Sequence, residues 1–140
     1  MSNELATISA NQTGLANSIG AVQTPAEKKR VLRAINAAES LNDAVTTGEV
    51  FEVVDIFQTP GVRASRNAQT PDMPCLNTYF LLKDGRTLMS QSDGIARGAQ
   101  AILSMFPNCG RDVEEGYLAL AVTERKLSNG NTIKNVVPVD

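Results

Sequence analysis

The sequence predicts a mainly β fold: a small barrel of short strands with one helix set among them and a second helix ahead of them. Three observations carry this. Runs dense in β-branched and aromatic residues alternate with period two. Two Asx-Gly pairs, Asp84-Gly85 and Asn129-Gly130, each stand between such runs, and these pairs are strong hairpin signals. Between the two hairpins lies a stretch with helical rather than strand periodicity.

Composition bounds the rest. The chain has 140 residues, enough for one domain with a real core, and its 42% hydrophobic and 20% charged residues are those of a soluble protein. No apolar run approaches the ~20 residues of a membrane span, and the first residues lack the basic and apolar regions of a secretion signal, so a cytoplasmic location and no membrane partner are expected. Cys75 and Cys109 are the only cysteines and histidine is absent. No disulfide, metal site or cofactor is expected from that set, and the commonest general acid/base is missing, so no enzyme is expected. The net charge of −2 does not by itself announce nucleic-acid binding.

In chain order, residues 1–23 are small and polar, a flexible arm. A helix is expected over residues 24–40, with Thr24 as cap, Pro25 in the first position and Glu27 completing a capping box. Val31, Leu32, Ile35 and Ala38 form its apolar stripe. Its basic start, Lys28, Lys29, Arg30 and then Arg33, opposes the helix dipole, so something other than local helix stability places those charges. The domain proper spans 46–140. GEVFEVVDIFQ is a strand with interleaved sets Val50, Glu52, Val54, Ile56 and Phe51, Val53, Asp55, Phe57. Residues 59–74, with Pro60, Gly61, Pro71 and Pro74, are expected to be a patternless loop. Cys75–Lys83 and Arg86–Gln91 flank the Asp84-Gly85 turn.

The next stretch, SQSDGIARGAQAILSMF, poses a choice between a phosphate-cradling loop and a plain strand-to-helix corner. Gly94 and Gly98 are present, but the lysine and hydroxyl of a P-loop are not, and no dinucleotide fingerprint exists. Ser92 or Asp93 caps a helix whose buried face is Ile95, Ala99, Ile102, Leu103 and Phe106. A strand over Tyr117–Lys126 and a returning strand after Asn129-Gly130 complete the chain.

Five antiparallel strands with one helix between the third and fourth is the element order of the OB-fold, a five-stranded Greek-key barrel with a capping helix. Such barrels bind ligands on their second and third strands and the loops beside them. Positive residues concentrate on those segments: Arg63 and Arg66 in the long loop, Lys83 and Arg86 around the first hairpin turn, and Arg125, Lys126 and Lys134 in the second hairpin. Phe57 and Tyr79 are the rings that could stack bases, while Phe51, Phe80 and Phe106 suit the core.

The motif TYFLLKDGRTLMSQSDGIARGAQAILSMF, followed by YLALAVTERKLSNGNT, resembles the small single-stranded DNA-binding proteins of tailed bacteriophages, over residues 46–137. The resemblance implies an OB-fold that coats single-stranded DNA intermediates without sequence preference, in phage DNA replication or recombination; single-stranded DNA is the expected partner, with a homo-oligomer and replication proteins as further candidates. The chain departs from better known bacterial single-strand binders in having no tryptophan. The rival expectation is an assembly module without nucleic-acid binding, using the helix Pro25 to Ser40. An enzyme would need a carboxylate pair, and Asp84 and Asp93 are already explained as turn and cap residues.

Overall fold

The computed structural model describes residues 17–19, 24–64, 69 and 71–140. Arg66 and most of the expected arm, residues 1–23, lie outside the described residues. In chain order the elements are α1 (Pro25–Asn36), β1 (Glu39–Ser40), α2 (Leu41–Ala44), β2 (Val50–Arg63), β3 (Met73–Leu82), β4 (Thr87–Ser90), α3 (Asp93–Met105), a 3-10 turn (Cys109–Asp112), β5 (Leu118–Lys126) and β6 (Thr132–Pro138).

Helix α1 begins as its sequence dictates. The Glu27 amide donates to Thr24 Oγ1 at 3.1 Å, and the Thr24 amide donates back to Glu27 Oε1. It is shorter than expected because Glu39 and Ser40 leave the helix to pair in parallel with Leu88 and Met89 of β4. Leu32 points outward, 61% exposed, and Ala34 takes the buried position in its place.

The strands form one curled six-stranded sheet in the order β1-β4-β3-β2-β5-β6, a half-barrel compatible with an OB-like form. It has one strand more than expected, and the extra one is the two-residue β1. Backbone pairing does not join β6 to the β1–β4 edge among the described residues. A side-chain link crosses instead: Lys134 Nζ donates to Asn42 Oδ1 at 2.9 Å.

The expected loop over 59–74 is corrected. β2 runs on to Arg63 and pairs residue by residue with β3, Pro60 opposite Leu76, Gly61 opposite Cys75 and Arg63 opposite Met73; residues 65–68 and 70 of the expected loop lie outside the described residues. Proline fits because, beyond Phe57, no described strand flanks β2 on the side away from β3. Gly61 fits because a Cβ there would lie 2.5 Å from Asn77 Oδ1.

A bulge between Val53 and Asp55 shifts the register of β2 on β3. One extra residue exchanges the two faces of a strand. Phe51, Val53 and Ile56 therefore all enter the main core, and Phe57 turns to the outer face instead of following Phe51. In the main core Phe51 and Phe80 meet edge to face, 5.7 Å apart at 87°, beside Leu88 and the Ile95, Ala99 and Ile102 face of α3.

Ser92 caps α3, accepting from the Ile95 amide at 3.3 Å. The glycines of the SQSDGIARG stretch have a packing role. A Cβ on Gly94 would strike the Lys134 carbonyl oxygen, and one on Gly98 would strike the Asn135 side chain and come within 2.9 Å of the Val136 carbonyl oxygen. They let α3 lie directly on β6. Cys109 is buried, and desolvation pushes its thiol up to about 12; Cys75 is half-buried. No helix among the described residues is long and apolar enough to cross a membrane.

Candidate nucleic-acid interface

Phe57 and Tyr79 are direct cross-strand partners on β2 and β3. Because the bulge has turned Phe57 outward, both rings stand on the outer face of the sheet, stacked with centroids 4.8 Å apart and planes 14° apart. They are not open to solvent. Helix α1 lies over them, and Ala34, Val31, Ile35 and Ala38 join Leu81, Met89 and Ile19 around the rings in a small second core. Their exposures are 3% and 5%, so the two rings expected to be open for stacking bases are covered by protein.

What holds the cover is a polar cluster at the bulge. The Asp55 carboxylate is fully buried and accepts from Arg30 Nη2 of α1 at 2.7 Å, Arg111 Nη1 at 3.2 Å and Ser18 Oγ at 2.9 Å, with Arg111 Nη2 in ion-pair range of Oδ1 at 3.0 Å. Arg111 also donates to the Ser18 carbonyl at 2.7 Å, and the Ile56 amide donates to Ser18 Oγ at 2.8 Å. Asn17 bridges Phe57, so the described part of the arm is docked against β2. Buried carboxylates require such pairing. The cluster also accounts for the basic start of α1: Arg30 is placed there by Asp55 and not by the helix dipole. Asp55 and Arg111 carry no motif. The one signal in the sequence is an acid inside the apolar set Phe51, Val53, Phe57.

A second polar group lies under α3. Gln58 is buried and donates to Thr78 Oγ1 at 3.0 Å and the Ala96 carbonyl at 3.1 Å, while Gln100 donates to Gln58 Oε1 at 3.1 Å. These bonds fasten α3 to β2 and β3.

The predicted basic residues fall into three places. Arg63 closes β2, donates to the Gln91 carbonyl and stands 3.5 Å from Asp93 Oδ1, so an acid helps to hold it. Lys134, bonded to Asn42, reaches the same end of the molecule, where a groove of about 550 Å³ is lined by Arg63, Asn42, Met89, Gln91 and Asp93. Lys83 and Arg86 stand at the β3–β4 turn. Lys83 Nζ lies over the Tyr117 ring at 4.6 Å, and Arg86 Nε donates to Asp84 at 3.0 Å. The bonds to Arg86 hold the Asp84 carboxyl below the usual range. Beside that turn a second groove, of about 340 Å³, sets Arg30, Arg33 and Arg86 around Val54 and Leu81. Arg125 and Lys126, opposite Ile133 and Thr132, are exposed on the other hairpin.

Among the described residues no three of His, Cys, Asp or Glu converge as a metal ion would need. No family model, curated protein or solved structure matches this chain.

Proposed function

We propose that this is a non-catalytic protein that binds single-stranded DNA without sequence preference, on the outer face of β2, β3 and β4 of an OB-like barrel, in the manner of the phage proteins its motifs resemble. The barrel assignment is supported by the long bulged β2 shared between β3 and β5, by α3 between β4 and β5, and by the Lys134–Asn42 link towards closure. The observation that carries the function is the stacked Phe57–Tyr79 pair on the outer face, with Arg63 toward one end and Arg86 toward the other. Bases stack on such rings regardless of identity, and flanking guanidinium groups track the phosphates.

Fluorescence anisotropy with a labelled thymidine oligonucleotide tests this directly. Binding is expected to exceed that of duplex and to weaken with salt, with a slope near −0.7 per phosphate contacted. No binding at low salt sinks the proposal. The assembly-module alternative draws support from Leu32 on α1 and from Val62 and Met73 at the β2–β3 tip, apolar side chains all more than half exposed. Concentration-dependent self-association without any oligonucleotide binding is the result it expects.

A further inference from the structure

We infer that α1 is a displaceable strap: helix and single-stranded DNA compete for the Phe57–Tyr79 face, and each excludes the other. The inference rests on the nucleic-acid function proposed above.

The face is continuous beneath the helix. Met89 lines the first groove and packs in the small core, and Leu81 lines the second groove and packs there too. The two grooves are therefore the open ends of one surface, and α1 covers its middle. That surface carries Arg63 at one end, Arg86 at the other and two stacked rings between them.

The cover is weakly held for a core element. Ala34 is the only buried residue of α1, and a helix of 12 residues has little stability of its own. Its charged tie is an ion pair whose Arg30 side chain is 49% exposed, so solvent and salt screen it. Release of α1 does not orphan the buried acid either. Asp55 keeps Arg111 at 3.0 Å and Ser18 at 2.9 Å, which makes undocking reversible rather than a step towards unfolding. A nucleic-acid strand offers the face what the helix offers it, flat apolar surface against the rings, and it also presents phosphates to the grooves' arginines.

Hydrogen–deuterium exchange of the full chain, with and without a saturating thymidine oligonucleotide, reads the competition. The α1 amides from Lys28 to Asn36 should lose protection when the strand binds, while those of α3 do not. Bound strand with α1 amides equally or better protected overturns the strap and leaves the DNA-binding proposal standing. Arg30→Ala supplies the second arm. Removing a cation ordinarily weakens binding to a polyanion, but loosening the strap raises the competent fraction, so the variant should bind about threefold tighter. Weaker binding by a folded Arg30→Ala protein also overturns the strap. If neither the wild type nor this variant binds at low salt, both proposals fall together.

Discussion

Two aromatic pairs lie on opposite faces of the same two strands, and they are kept in different ways. Phe51 and Phe80 meet edge to face on the inner side of the curled sheet, in the main core with α3. Phe57 and Tyr79 lie stacked outside it, sheltered by one short helix that a half-exposed arginine fastens down. The bulge at Val53–Asp55 creates the difference, since without it Phe57 would follow Phe51 inward. One strand pair thus makes a fold with its inner face and a covered surface with its outer face. Apolar burial alone does not tell the two apart; the kind of cover does.

The sharpest way to break the comparison is to truncate one ring from each pair. Phe80→Ala should cost about 3–5 kcal/mol in urea unfolding, because the enclosed site cannot collapse around the loss. Phe57→Ala should cost about 2 kcal/mol, since α1 can resettle or open locally. Equal costs would mean that the outer pair is core in every sense, and the strap would lose its basis. A next, smaller effect tests the inner cover. Gly98→Val drives a side chain into Asn135 and Val136 and should cost about 1–3 kcal/mol by overpacking, with oligonucleotide affinity unchanged.

Much of the inner region was legible in the sequence, because it is local. The Ser92 cap, the α3 stripe and both turns follow from residues within a few positions of one another, as does the Thr24–Glu27 capping box of the helix that covers the outer face. Gly85 and Gly130 have φ near +96° and +89°, as such turns require. The outer region was not legible, because every decisive feature in it is long-range or depends on register. One bulged residue reverses the face of Phe57. Pro60 and Gly61, usual marks of a loop, sit in a strand because β2 has a free edge and Asn77 needs the space. Arg111 meets Asp55 across 56 positions of sequence, which no spacing rule could connect. The basic residues were found individually, but their division into three groups needed the fold.

The two cysteines sharpen the comparison further, one standing deep inside and the other near the surface. Cys109 faces the Val53 carbonyl in the main core, and burial lifts its thiol from about 9 to about 12. The folded state therefore keeps the thiol neutral where the unfolded chain would ionise it. That contribution is fully present below about pH 9 and is lost as pH rises towards 12, so stability should fall over this window. Cys109→Ala should flatten the alkaline slope, and Cys75 should react with a thiol reagent in the native protein well before Cys109 does. An early second equivalent of label would show that the inner core opens as readily as the outer face.

The smallest expected effect on stability belongs to residues that touch neither pair. Arg125 and Lys126 are exposed at the end of β5, paired across the hairpin with Ile133 and Thr132, and have no acid partner among the described ion pairs. Replacing both with Ala should change unfolding free energy by less than about 0.5 kcal/mol, as for surface charges generally. If the bound strand runs from the outer face towards this hairpin, the same change reduces the magnitude of the salt slope by up to about 1.4, two phosphates' worth. If the strand stays between the Arg63 and Arg86 grooves, the slope is unaltered. Arg63→Ala needs a separate thermodynamic control, because its ties to Asp93 and the Gln91 carbonyl give that residue a structural share. Arg125 and Lys126 have no such ties, so an altered slope would report contact with DNA alone. The titration therefore decides whether the proposed interface is the face under α1 by itself or a longer path that includes the second hairpin.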